Sequence, residues 1–222
     1  MIDKNAVFDF IGVNAAVWCG GDMDATDLAE CVQFANEKNL SMISVAPNVV
    51  QTVWPWLENG NVKIMSRFYM EKINEGQISD VTVKINSVLR QGAHGAQIFL
   101  PYRFLAELVE QTHVVRDDLF FNKDLAIGMD IADVGPFDWD DLFANLRKIN
   151  ASSVIFVLTK DAGDKSDFVG RLYGMLNAWG GDNKFNLHFA FGPNFMRIEQ
   201  TQRLVQRVRP MLMDGLRFWI NF

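Results

Sequence analysis

A chain of 222 residues fits one domain, slightly below the roughly 250 residues typical of an eight-stranded α/β barrel. Apolar residues make up 49% of it, enough for a substantial core, which excludes an intrinsically disordered chain. The net charge of -6 gives no electrostatic reason to expect a nucleic acid or an anionic membrane as partner, and leaves a small-molecule substrate or ligand as the expected one.

In chain order, the first strand reads Val7 to Trp18, a long apolar run containing Asn14. Asp24-Ala25-Thr26 offers N-cap oxygens to a helix whose buried stripe is Leu28, Cys31, Val32 and Ala35. Leu40 to Val45 is the second strand, closed by Pro47-Asn48, and a short helix through Trp54 and Trp56 follows it. Val62 to Phe68 is the third strand, and its helix carries Val81, Ile85, Val88 and Leu89. Ala96 to Leu100 is the fourth, ended by Pro101 and followed by a helix with Leu105, Leu108 and Val109. Leu125 to Ile131 is the fifth, and Asp138 caps the helix bearing Leu142, Leu146 and Ile149. Val154 to Leu158, five apolar residues between polar flanks, is the clearest buried strand. A helix with Phe168, Leu172, Met175, Leu176 and Trp179 separates it from the seventh strand, Leu187 to Phe191. The helix through Ile198, Val205 and Val208 then leads to the eighth strand, Leu216 to Ile220.

Strands alternating with helices specify parallel βαβ units, and eight of them specify a closed (β/α)8 TIM barrel whose chemistry lies at the C-terminal rim. No composition shift divides residues 1–222, so one domain is expected. No helix follows the eighth strand, so the eighth helix is absent from the expected barrel. Either the N-terminal segment or a second subunit must then cover that strand, and a homo-oligomer is one way to do so. Cys19 and Cys31 are too few for a disulfide framework and lack zinc spacing. Cys19 follows the first strand at the rim with no activating base beside it in sequence, and reads as structural. The opening Met1-Ile2-Asp3-Lys4 lacks a signal-peptide hydrophobic region and no apolar run is long enough to span a membrane, so a cytoplasmic location is expected. No glycine-rich nucleotide loop and no metal-ligand pattern is present, so no cofactor and no metal is expected.

From Asp24 onward the chain resembles the deoxyribose-phosphate aldolases, class I aldolases built as this kind of barrel. The likeness is carried by Asp24-Ala25-Thr26, Ser44-Val45-Ala46-Pro47-Asn48, Asn61-Val62-Lys63-Ile64, Val83-Lys84 and Gly92-Ala93. The resemblance implies a Schiff-base lysine on strand six, within a Phe-Val-Lys-Thr pattern. Laid on Val154-Ile155-Phe156-Val157, that pattern puts Phe156 in place of the lysine. The aspartate that the resemblance implies on strand four falls near Phe99, and the second lysine, on strand seven, near His188. Of the implied phosphate-binding turns, the one after strand seven corresponds to Phe191-Gly192-Pro193-Asn194 with a single glycine, and the one after strand eight has no counterpart before Phe222.

The candidate catalytic residues are Asp130, Lys160, Lys63 and His188. Lys160 lies just past strand six at the rim, where a nucleophilic amine would be needed. Lys63, Met65 and Arg67 share one face of strand three; pointing inward, Lys63 and Arg67 make a cationic interior, whereas Lys63 at the strand's start can equally face solvent. Asp130 closes strand five and is the expected proton carrier, with Asp133 nearby. His188 sits within an apolar strand, as a catalyst or as a satisfied core residue. The candidate substrate-binding residues are Arg67, Asn14, Asn48, Arg103 and Gly192, for their hydrogen bonds to hydroxyls or to an anion at the rim. The leading expectation is a divergent aldolase-like barrel acting on a small carbonyl or sugar-phosphate substrate. The alternative is a non-catalytic barrel of the same kind that binds a ligand or a partner, its former cavity filled by Phe99 and Phe156.

Overall fold

The computed structural model describes residues 4–57, 60–71, 75–112, 123–158, 165–181 and 183–222. Eight strands, β1 (Ala15–Trp18), β2 (Met42–Val45), β3 (Lys63–Tyr69), β4 (Gly95–Phe99), β5 (Asp124–Asp130), β6 (Ser153–Val157), β7 (Asn186–Ala190) and β8 (Arg217–Asn221), run parallel and close in sequence order, β8 pairing with β1. The described helices are α1 (Lys4–Ile11), α2 (Ala25–Glu37), α3 (Val50–Leu57), α4 (Glu75–Arg90), α5 (Leu105–Thr112), α6 (Trp139–Lys148), α7 (Lys165–Ala178) and α8 (Phe195–Val208). Strands and helices alternate as the apolar rhythm requires, and the expected TIM barrel is the fold of the chain.

The first expected strand is the main correction. Val7 to Ile11 forms helix α1, with Val7, Phe8 and Ile11 buried. Gly12, at φ +60°, turns the chain out of it in a conformation that a residue with a Cβ adopts only at a cost. The strand proper is only Ala15–Trp18, so Asn14 precedes it.

No described helix follows β8, and α1 stands in that gap. Its Phe8 meets Phe34 of α2 edge-on at 4.8 Å, and its Phe10 meets Phe195 of α8 at 5.6 Å. The outward residues of β8, Phe218 and Ile220, are buried. The N-terminal segment thus covers the last strand, and a second subunit is not needed for it.

Local signals act as their chemistry demands. The Asp24 carboxylate accepts from the backbone N–H groups of Thr26 and Asp27 at 2.8 and 2.9 Å, capping α2. Asp138 precedes α6 but does not cap it through its side chain; its carboxylate accepts from Gly135 N–H at 3.2 Å instead. Because α2 returns along the outside of β1, Cys31 reaches Cys19, and the two form a disulfide with Cα atoms 6.6 Å apart. Neither cysteine is a free thiol.

Two cores share the barrel wall. Ala16, Met65, Phe99, Ala126, Ile155, Ala190 and Trp219 pack together inside the barrel, whereas Phe156, Phe189 and Phe218 belong to the larger layer between strands and helices. Phe156 therefore does not fill the barrel interior: its ring lies 6.1 Å from Trp139 of α6 and 6.0 Å from Phe189. At the lower end a Cβ on Gly95 would overlap the carbonyl of Asp124 on the neighbouring strand and meet the Met65 methyl at 2.8 Å. Gly95→Ala is accordingly expected to cost about 2–3 kcal/mol through overpacking against backbone. A lowered urea midpoint with unchanged m-value would register it.

Candidate functional site

The C-terminal ends of β1, β3, β4, β5 and β6 surround a cavity of about 480 Å³ at the barrel mouth. Its walls are aromatic and aliphatic. Trp18 meets Phe99 edge-on at 5.5 Å, Tyr69 stacks on Phe99 at 5.3 Å, and Met70, Leu100 and Val157 complete the lining. Three carboxylates, Glu71, Asp130 and Asp133, also line it. Phe99 occupies its lumen-facing position beside Gly128, where a Cβ would strike its ring, so this glycine leaves the space the ring uses.

Asp130 ends β5. Its side chain accepts from Ala132 N–H at 2.8 Å, which fixes the carboxylate at the start of the turn Ile131–Asp133. Asp133 is exposed and borders both this cavity and a smaller hollow of about 370 Å³ formed with Pro101, Tyr102 and Arg103. Arg103 stacks on Phe104, its guanidinium carbon 4.7 Å from the ring centre. Burial raises the Tyr102 hydroxyl pKa above its ordinary value, helped by the charges of Asp138 and Asp141.

Below the mouth the lumen carries buried polar side chains. Arg67 is only 8% exposed, donates to the carbonyl of Cys19, and lies with its guanidinium carbon 5.5 Å from the centre of the Trp18 ring. Burial lowers its pKa, and Tyr69 opposes that shift in part. Gln97, the ladder partner of Arg67 on β4, accepts from the Ser44 hydroxyl at 2.6 Å. Across the lumen, His188 Nδ1 accepts from Trp219 Nε1–H at 3.3 Å, and Trp219 stacks on Trp18 at 6.0 Å. An indole nitrogen only donates, so the proton of the neutral imidazole sits on Nε2. Complete burial, with Arg217 adding repulsion, pushes His188 from 6.5 down to about 3, so the ring is neutral at physiological pH.

The remaining candidates lie elsewhere. Lys63 starts β3 at the opposite end of the barrel and pairs with Asp124 at 2.7 Å, half exposed. Asn14 is also at that end, where its side-chain oxygen accepts from Arg217 at 3.3 Å. Asn48 is exposed in the turn Pro47–Val49 after β2, and Gly192, in the turn after β7, gives its carbonyl to Asn194 N–H at 2.8 Å. Neither lines the mouth cavity. Lys160 falls outside the described residues. Among the described candidates Asp130 is the one that borders the cavity directly, with Arg67 beneath its Trp18 wall and Arg103 in the adjoining hollow. Trp18, Tyr69, Glu71 and Gln97 were not among the expected site residues. Gln97 had a legible signal, a lone amide inside the apolar strand Ala96 to Leu100.

The lumen-facing positions of β6 are Ser153, Ile155 and Val157, and those of β7 above the lower rim are His188 and Ala190. None of them carries an amine. Among the described residues, no group of three or more His, Cys, Asp or Glu side chains is arranged to hold a metal ion, and no helix is long and apolar enough to cross a membrane.

No protein-family model matches the chain, and no curated protein matches it by sequence. Solved structures share its fold. Deoxyribose phosphate aldolase from Aeropyrum pernix, described as a tetramer, aligns with TM-score 0.66 at 11% identity over 83% of this chain and 81% of that one. A Toxoplasma gondii ME49 protein described as a candidate deoxyribose-phosphate aldolase aligns with TM-score 0.73 at 11% identity, over 99% of this chain and 93% of that one. Orotidine 5'-phosphate decarboxylase from Pyrococcus horikoshii OT3 aligns with TM-score 0.56 at 12% identity, over 92% and 88% of the two chains. The aldolase resemblance read from the short sequence matches is therefore present in the fold, which other barrels share as well.

Proposed function

We propose that this aldolase-like barrel binds a small organic molecule in its mouth cavity and forms no imine in its lumen. The observation that carries this reading is the set of side chains on the lumen faces of β6 and β7: Ser153, Ile155, Val157, His188 and Ala190. A Schiff-base amine has to stand where a carbonyl substrate can reach it. Lys63, the described lysine on an inward register, is paired with Asp124 at the far end of the barrel. A guanidinium is no substitute, since Arg67 and Arg217 are not amine nucleophiles. The walls of Trp18, Tyr69 and Phe99 suit a flat apolar body. The turn after β7, Phe191-Gly192-Pro193-Asn194, has a single glycine with which to bring backbone N–H groups to a phosphate, which weighs against a sugar phosphate. A disulfide between Cys19 and Cys31 fits an oxidising compartment better than the cytoplasm expected from composition.

Aldol chemistry through Lys160, with Asp130 as proton carrier, is the second reading, favoured by the shared aldolase fold. Borohydride trapping with deoxyribose 5-phosphate and small aldehydes separates the two. We expect intact-mass spectra without an adduct, beside an aldolase that labels fully under the same conditions. We expect uncharged aromatic probes to quench the tryptophan emission, because Trp18 forms part of the cavity wall. A borohydride adduct mapped to Lys160 would overturn the binding reading in favour of aldol chemistry.

A further inference from the structure

The upper lumen holds a buried guanidinium that no carboxylate of the described residues pairs with. Arg67 is 8% exposed, and its one hydrogen bond among the described residues goes to the neutral carbonyl of Cys19. No described Asp or Glu forms an ion pair with it. Taking a cation out of water costs several kcal/mol, and proteins normally offset this with an anion. Stacking on Trp18 contributes, but as a minor part of that cost.

The groups around Arg67 are donors as well. Gln97 is fully buried and its oxygen is occupied by the Ser44 hydroxyl, which leaves Nε2 as the free end of the amide; that nitrogen has no partner. The indole N–H of Trp18 is buried and unpartnered too. Gln97 and Arg67 are register partners on adjacent strands with their side chains on the same inward face. Tyr69 and Phe99, two residues further along the same two strands, stand in the cavity wall directly above them. Two buried donors without a partner among the described residues, beside a buried guanidinium that bonds only a neutral carbonyl and under a cavity with apolar walls, are best complemented by an anionic oxygen group.

We propose that Arg67, Gln97 and Trp18 form a buried anion subsite that takes the carboxylate of a small ligand whose apolar body lies among Trp18, Tyr69 and Phe99. This rests on the mouth cavity being a binding site. A monoanion is favoured over a phosphate, because one guanidinium compensates one charge. Glu71, Asp130 and Asp133 above the subsite add repulsion that grows with ligand charge. The same three carboxylates suit a ligand whose far end donates hydrogen bonds.

The test uses probes of one shape that differ in one end group: 3-phenylpropionate, 3-phenylpropanol and 3-phenylpropylamine, with phenyl phosphate as the dianion arm, titrated by calorimetry into the full chain. The propionate is expected to bind at least about tenfold more tightly than the alcohol, the factor a charge-assisted hydrogen bond supplies. Gln97→Glu places a carboxylate inside the protein next to Arg67. It is expected to abolish the preference for propionate, leave the alcohol unaffected, and raise the thermal midpoint of the ligand-free protein by about 2–4 °C. Arg67→Met, as a second variant, should also make propionate and alcohol equivalent.

Alcohol binding as tight as propionate, or tightest binding by the amine, would overturn the subsite while leaving the cavity a binding site. Tightest binding by phenyl phosphate would overturn the carboxylate assignment. Binding by none of the probes would overturn both readings. A Gln97→Glu variant that keeps the propionate preference would also remove Arg67 from the recognition.

Discussion

Between pH 6.5 and about 3 the barrel is expected to lose about 4–5 kcal/mol of stability through His188 alone. The imidazole is completely buried, with burial the main cause and Arg217 the second cause of its depression from 6.5 to about 3. An unfolded chain takes up a proton at this residue near pH 6.5, whereas the native chain does so only near 3. Stability from the neutral ring is therefore complete above pH 6.5 and falls progressively as the pH drops toward 3, by about 1.4 kcal/mol for each pH unit. The total is a large fraction of the roughly 5–15 kcal/mol that holds a typical domain together.

His188→Gln keeps an acceptor for the Trp219 indole and has nothing to protonate. Urea midpoints of the two proteins at pH 7, 5.5 and 4.5 check the expectation. The variant should gain on the parent at each step downward. Parallel acid profiles would mean that carboxylates alone set the acid limit.

Phe156 and Val157 are neighbours in sequence and opposites in consequence. Phe156→Lys is expected to prevent folding. The ring is fully buried between barrel and helices, against Trp139 and Phe189, and a lysine there both removes its packing and buries an unpaired ammonium. Together these cost on the order of 5 kcal/mol or more. Val157→Lys is expected to fold with a loss of about 1–2 kcal/mol, because this residue is only partly buried and lines the mouth cavity. Its amine would stand beside Asp130, its register partner on β5, where the apolar walls favour the neutral form and the carboxylate opposes that shift. With an aldehyde and borohydride this variant should gain an adduct mapped to position 157. Folding of Phe156→Lys and collapse of Val157→Lys would reverse the assigned faces of β6.

The contrast between these two positions explains what was legible in the sequence. Strand existence and order were legible throughout, because eight apolar runs between turn residues admit few other folds. From β3 to β7 the expected strands begin and end within one residue of the observed ones. Facing was not legible. A strand buried on both sides is apolar at every position, so alternation disappears, and a one-residue slip exchanges lumen for outer layer. This is why Phe156 read as a lumen residue. Polar residues inside such strands carry the missing information. Ser44, Arg67, Gln97 and His188 all point inward, and the pairing of His188 with Ile155 would have placed Ile155 inside and Phe156 outside. Val7 to Ile11 failed for a related reason. A short apolar run suits a buried helix turn as well as a strand, and Gly12 was the boundary signal that went unused. The cavity carboxylate Asp130 was readable from its place at a strand end. Trp18 and Tyr69 were not, since an aromatic ring at a strand end has the same pattern whether it lines a cavity or packs in a core.

Helix α1, seated between α2 and α8, has a consequence for how the chain assembles. The first strand gains its second neighbour only when β8 arrives, and bonds such as Arg217 to Asn14 join residues 203 apart in sequence. Ring closure of that span is the slowest kind of native contact to form. During synthesis α1 and β1 are made well before β8 and are finished only when it arrives. Until then their apolar faces stay open to a chaperone, or to the same segment of another nascent chain.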